Sequence, residues 1–188
     1  MDVSSVLVTR GDVDLREIVD SIGRAGVRDL LVWNNSFEPI DLKVFGRYAA
    51  MADVRNELVY VQDDDAVCPV AEIIAAYAGC DAPLLVNVPA GEKPWVAWGA
   101  VLHRGAAMLA LDTYQHHYST DDDFVSWADV IVSSLTAWES IDLGHRDLPW
   151  ATAPNRMSLQ PDHYPGQARV EARCLEIGGE VRRAPVTV

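Results

Sequence analysis

Three consecutive carboxylates, Asp63, Asp64 and Asp65, follow directly on the apolar segment LVYVQ at residues 58 to 62. Short runs rich in β-branched and aromatic residues read as buried strands, and in open α/β sheets ligands sit beyond the carboxyl ends of such strands. The three acids therefore stand where a ligand would. Crowded carboxylates repel one another, and a divalent cation neutralises several at once, with oxygen ligands suiting Mg2+ or Mn2+. The chemistry implied is a metal ion bridging protein and phosphate. A solvated acidic turn is the ordinary use of such a run, but the preceding apolar stretch argues for a buried strand leading into a site.

The elements around these acids read as alternating strands and helices. SSVLVT, VRDLLVWNN and ELVYVQDDD are strands, separated by DLREIVDSIGRAG and by a segment around DLKVFGRYAAMADV. This alternation predicts an α/β domain with a mixed, mostly parallel central sheet flanked by helices. Leu15, Ile18, Val19 and Ile22 follow the helical period, Asp14 is the expected N-cap and Gly23 lies near the expected stop. VAEIIAAYAG, with Pro69 before it and Gly79 at its end, is a further helix, and PLLVNVP a further strand. From residue 90 the pattern becomes a turn, a short strand and a helix. DDDFVSWADVIVSSLTAW reads as one helical stretch opened by acids, ESIDLGH as a strand, and DLPWATAPNRMSLQPDHYPGQ as a Pro-rich flap. A short helix and a tail end the chain.

At 188 residues the chain suits one domain with a core of its own. We divide it into a nucleotide-binding half (1–89), an acceptor and catalytic half (90–174) and a tail (175–188). Three cysteines without a CxxC spacing describe neither a disulfide framework nor a zinc site. With no basic, apolar leader at the N-terminus and no long apolar run, a cytoplasmic protein without a membrane span is expected. A net charge of −13 argues against broad contact with a nucleic-acid backbone. GxSxG, Walker, HExxH and GxGxxG motifs are all missing, which removes the motif basis for hydrolase, P-loop and Rossmann dehydrogenase readings. Cys68 follows the acids, whose charge raises a thiol pKa, the wrong direction for a nucleophile.

In order and spacing, Val32-Trp33-Asn34-Asn35, Gly46-Arg47-Tyr48, Asp63-Asp64-Asp65 and Ala128-Asp129 resemble the motifs of GT-A glycosyltransferases, and most of all the exostosin-like retaining group. The resemblance runs from about residue 5 to 174. It implies a DXD motif holding Mn2+ (or Mg2+) against the diphosphate of a UDP-sugar. Asp65 is then the direct metal ligand, Asp63 contacts ribose or the metal, and Asp64 supports them. Thr9 and Arg10 match the nucleotide-binding end of the first strand. Asn34 and Asn35 are matched to a uracil edge, although such pairs more often shape turns. Arg47 matches an arginine that neutralises pyrophosphate, with Gly46 replacing the asparagine usual before it.

The same resemblance makes Asp129 the catalytic carboxylate and Asp123 the second choice, with Asp122 beside it. Asp129 would stabilise an oxocarbenium-like centre, orient the acceptor hydroxyl or act as a nucleophile; helix-capping duty is the structural alternative for these acids. Gly99 and Ala100 match a small-residue segment that lets a sugar approach the backbone. Trp95 and Trp98 are candidate stacking faces or simply core. Gln160 stands where the family has an arginine, leaving Arg156 to supply that charge, and His163 matches a histidine that binds metal or diphosphate. His145 is a weaker candidate on the same grounds.

The expectation is a metal-dependent glycosyltransferase moving a sugar from a UDP-sugar to a hydroxyl on a glycan, protein or modified nucleobase, with retention. A nucleotidyltransferase-like enzyme and a nucleotide-sugar-binding module without turnover are the alternatives. So short a chain leaves acceptor recognition to loops 90–120 and 145–168 or to a second subunit, which makes a homodimer an expectation.

Overall fold

The computed structural model describes residues 1–154 and 156–181, with side chains described through residue 178. The six-stranded central sheet contains β1 (Val3–Thr9), β2 (Asp29–Asn34), β3 (Leu58–Gln62), β5 (Leu84–Asn87), β6 (Ala100–His103) and β7 (Trp138–Ile141), in the order β2-β1-β3-β6-β5-β7. β1 pairs parallel with β2 and β3, and β5 pairs parallel with β7. β6 is antiparallel to both β3 and β5. Hence β6 alone runs against the other five strands. The carboxyl ends of those five, from Thr9, Asn34 and Gln62 to Asn87 and Ile141, lie along one edge. A two-stranded ribbon of β4 (Ala66–Val67) and β8 (Arg146–Asp147) stands just beyond it.

Both faces of the sheet are covered, which is why its strands read as nearly continuous apolar runs. Helices α1 (Arg16–Arg24) and α3 (Val70–Tyr77) pack on one face, where Ile18, Ile22 and Ile73 meet Leu7, Tyr60 and Val101. The opposite face carries α2 (Gly46–Ala50), α4 (Arg104–His117), α5 (Asp122–Ser126), α6 (Ala128–Leu135) and α7 (His163–Val181). There Tyr48, Leu111, Ile131 and Val170 join Val6, Val59, Val61 and Leu102. Successive residues of β3 alternate between the two layers, as the period-two pleat requires. Among the described residues no helix is long and apolar enough to cross a membrane.

Several local readings change. The stretch expected as one helix divides at Trp127, whose backbone (φ −122, ψ 24) leaves the helical region between α5 and α6. Its indole packs where a side chain on Gly166 would be: a Cβ there would lie 2.6 Å from Trp127 Nε1. The expected flap is shorter, and α7 begins at His163 and runs for 19 residues where a short helix and a tail were expected. Pro165 falls in its first turn, where a missing N–H costs no helical bond. The remainder of the expected tail lies outside the described residues. At the N-terminus of α1 the N-cap is Leu15 and not Asp14 as expected; Asp14 lies one residue earlier, where its Oδ1 accepts the backbone N–H of Arg16 at 3.0 Å.

Candidate functional site

β3 delivers Asp63, Asp64 and Asp65 to the sheet edge, and the three carboxylates meet different fates. Asp64 is buried: Thr9 Oγ1 donates to it at 2.7 Å and Arg156 Nη1 at 2.6 Å. Arg156 Nε also donates to Trp150 O at 3.0 Å, while Trp150 Nε1 donates to Asp64 O at 2.7 Å. This weld anchors Trp150 and Arg156 to the strand end. Asp65 is bound through its backbone, its carbonyl accepting Leu148 N at 2.7 Å, and no described side chain donates to its carboxylate. Burial, followed by the charge of Asp63, pushes the Asp65 pKa up to about 7, against the pull of Arg156. Asp65 is thus the carboxylate left open to a proton or a cation.

Asp63 turns the other way, onto Arg47. The Arg47 side chain is 0 % exposed and also lies 3.5 Å from Asp129 Oδ2. Burial opposes the charge on Arg47, but Asp129 and Asp63 outweigh it and raise its pKa. A pyrophosphate contact for Arg47 is therefore corrected: the guanidinium is interior and joins two carboxylates from different elements. Tyr48, the next residue of α2, donates to Asp129 Oδ1 at 2.7 Å. Burial raises the pKa of Asp129, while Arg47 and the Tyr48 hydroxyl hold it down. Helix α2 thus aligns Asp129 at the start of α6 with Asp63 at the end of β3.

An open cleft of about 1380 Å³ runs past these groups. Thr9, Arg10, Asn35, the three acids and Arg156 line one part, and Asp123, Asp129, Trp95, Trp98 and His163 also face it. Asp123 is tied to α7, accepting from Arg169 Nη2 at 2.8 Å and Arg173 Nη1 at 3.3 Å. Asp121, which the sequence reading passed over, is the cap of α5 and accepts Phe124 N at 3.0 Å. Asp122 lines the cleft nearby. The His163 ring stands edge-on to Trp127 at 4.9 Å, and burial lowers its pKa. His145 stacks on Trp98 at 4.5 Å and lies 3.2 Å from Asp147. Asp147 was missed from sequence because only the β4–β8 ribbon brings it beside Asp65.

Several candidates serve the scaffold. Asn35 accepts from Trp33 Nε1 at 3.0 Å and donates to Lys43 O at 3.1 Å, and Asn34 Oδ1 accepts Ser36 N at 3.0 Å. Both amides shape the loop after β2, although Asn35 also borders the cleft. Gly99 and Ala100 are corrected from a sugar-contact role. Gly99 has φ +97, a Cβ on it would lie 2.8 Å from Ile73 Cδ1 and 2.9 Å from Tyr60 Oη, and Ala100 is fully buried. Gly46 has no room for a side chain because Trp33 Cδ1 would lie 2.3 Å from its Cβ. Gln160 Nε2 braces the loop by donating to the carbonyls of Pro154 and Arg156, both at 3.1 Å. Cys68 behaves as foreseen but mainly for another reason: burial pushes its thiol up to about 12, with Asp63 and Asp65 adding to the effect.

No family model matches the chain, and no curated protein matches it. Similarity is found among solved structures. Residues 1–349 of S. aureus TarS align over all of this chain and 75% of theirs, with 10% identity and a TM-score of 0.50. The fold is GT-A-like. The bifunctional IspDF of Campylobacter jejuni aligns over 77% of this chain at 11% identity and a TM-score of 0.48. This chain spans 50% of that protein's length. The 2-C-methyl-D-erythritol 4-phosphate cytidylyltransferase of Thermus thermophilus aligns over 93% of this chain at 16% identity and a TM-score of 0.46.

Proposed function

We propose that the cleft binds a nucleotide sugar and that the protein is a metal-dependent glycosyltransferase, with a UDP-sugar as donor and a hydroxyl as acceptor. The observation that carries this reading is the open carboxylate of Asp65 beside Asp63, at the carboxyl edge of a GT-A-like sheet and inside a cleft large enough for such a donor.

The donor set fits a cation held jointly with substrate. Among the described residues no three His, Cys, Asp or Glu side chains approach closely enough to hold a metal by themselves. Mg2+ and similar ions are usually bound through one or two carboxylates together with substrate phosphates. Asp65 and Asp63 supply that number. When bound there, a divalent cation screens the charge that develops on a departing diphosphate.

Asp129 is the carboxylate we assign to the reacting centre. Transfer breaks the bond from the anomeric carbon to the diphosphate oxygen, forms one to the acceptor oxygen and moves the acceptor proton to the departing diphosphate. Asp129, oriented by Tyr48 and Arg47, stabilises the positive charge at the anomeric carbon. Retention at that carbon rests on the exostosin-like motifs.

The test is incubation of a panel of nucleotide sugars with and without Mn2+, followed by detection of released nucleotide. Manganese-dependent release of UDP from one donor supports the proposal. Release of pyrophosphate from a nucleoside triphosphate would assign a nucleotidyltransferase instead. Tight binding of a donor without turnover in the presence of acceptors would assign a binding module, and no binding to any donor overturns the reading.

A further inference from the structure

Among the described residues, Arg10, Lys43, Lys93 and Arg156 are the lysine and arginine side chains that line the cleft. Three of them face carboxylates: Arg10 lies 3.0 Å from Asp12, Lys93 2.7 Å from Glu171 and Arg156 2.6 Å from Asp64. Lys43 differs. Its ammonium donates to the hydroxyl of Ser126 at 2.9 Å, and no described carboxylate forms an ion pair with it. In a chain of net charge −13, a cleft cation held by a neutral hydroxyl keeps its charge available for an anion.

The backbone beneath Lys43 is held in an unusual conformation. Its φ is +48, the single positive value at a non-glycine residue among the described residues. Side chains rarely adopt that region, and such strain persists where surrounding contacts over-determine it. Here Asp41 Oδ1 accepts the Lys43 N–H at 2.8 Å and Asn35 Nδ2 donates to the Lys43 carbonyl at 3.1 Å. Asn35 also accepts Leu42 N at 3.2 Å, so the loop is clamped on both sides of the lysine. A glycine would satisfy this backbone at lower cost. Lysine at this position places an ammonium on the cleft wall.

We propose that Lys43 is the cation that contacts the phosphate groups of the ligand, exchanging its bond to Ser126 for phosphate oxygens on binding. This deepens the nucleotide-sugar reading and rests on it for the identity of the ligand. It also gives to an accessible side chain the neutralising duty that buried Arg47 is not placed to perform. The ammonium is a strongly hydrated point charge with rotatable donors, suited to leaving a hydroxyl for a phosphate.

The test is calorimetric binding of UDP, CDP, GDP, ADP, uridine and inorganic pyrophosphate to the wild type, Lys43→Gln, Lys43→Arg and Lys43→Gly. The expected result is a loss of about tenfold to a hundredfold in affinity for the bound nucleoside diphosphate and for pyrophosphate in Lys43→Gln, with most of it kept in Lys43→Arg. Lys43→Gly should lose the same binding yet melt no lower than the wild type, because glycine relieves the backbone. A lysine serving only to tie its loop to α5 would lower melting and leave diphosphate affinity alone, which would overturn the proposal. Pyrophosphate separates this inference from its parent. Lys43-dependent binding of pyrophosphate without any nucleoside diphosphate sinks the nucleotide reading and keeps the anion site. Nucleoside diphosphate binding indifferent to Lys43 does the reverse, and no binding of either ligand class sinks both.

Discussion

The Tyr48 hydroxyl lies 2.7 Å from Asp129 Oδ1, joining residues 81 positions apart and fixing the carboxylate that we place at the reacting centre. Burial raises the Asp129 pKa and the hydroxyl opposes that rise. Tyr48→Phe removes the opposing bond, so the pKa rises further and Asp129 ionises only at higher pH. The acid limb of the pH–rate profile should move to higher pH, with turnover down about tenfold on that limb. Profiles of the two proteins that superpose would remove Tyr48 from control of Asp129.

Asp65 gives a separate pH prediction. Its pKa stands near 7 against the usual 3.8, so the fold favours its protonated form. That contribution is fully present below about pH 4 and is lost as pH rises through about 7. Asp65→Asn, neutral at every pH, should match the wild type in acid and become more stable across that window, by about 1 to 2 kcal/mol after solvent screening. Urea unfolding at pH 4 and pH 8 measures the difference. An equal offset at both values would contradict the assignment.

Cation binding should follow the same group. A ligand carboxylate must lose its proton, so binding of Mn2+ should strengthen from pH 6 to pH 8 and release protons. Asp65→Ala should lose this pH dependence while retaining its circular dichroism. Titration calorimetry in buffers of different ionisation enthalpy counts the protons released; unchanged Mn2+ affinity in the variant would exclude Asp65 as a ligand.

The Asp64–Arg156 pair has side chains only 6 and 9 % exposed, so removing one partner strands the other. Arg156→Met should cost about 3 to 5 kcal/mol. Pairing it with Asp64→Leu should recover part of that loss, since two apolar groups need no mutual compensation. A double-mutant cycle by urea unfolding reads the coupling, and additive losses would show that the pair contributes little.

Gly46→Ala tests the packing of α2 against β2. The new Cβ would lie 2.3 Å from the Trp33 indole, so either the ring or the helix must move. Destabilisation of about 1 to 3 kcal/mol is expected. Trp33→Leu in the same chain should relieve part of it, and the lack of any such relief would place the strain elsewhere.

The strand edge was legible because local pattern alone specifies it: LVYVQ ahead of three acids could be placed at the end of a buried strand without any distant contact. The succession of the sheet's strands and of most helices along the chain followed from periodicity in the same way. What stayed hidden depends on partners far along the chain. Nothing near Arg47 announces that it is enclosed between Asp63 and Asp129, and an arginine beside a motif reads as a ligand contact until the third dimension buries it. Gly99 looked like room for a sugar because the Tyr60 and Ile73 side chains that fill that room lie 26 or more residues away. Lys43 escaped notice because its distinguishing feature is a backbone angle. Pro165 and Gly166 imitate a flap, whereas one sits in a helical first turn and the other makes space for Trp127.

The weld between Asp64 and Arg156 spans 92 positions, and the bonds from Tyr48 to Asp129 and from Lys43 to Ser126 span 81 and 83. Contacts closed over such lengths form only after the intervening chain has been ordered. During synthesis the strand that carries the three acids emerges well before the residues that wall them in. The nascent protein therefore exposes a concentrated negative edge, with Asp64 unpaired, until residue 156 has left the ribosome.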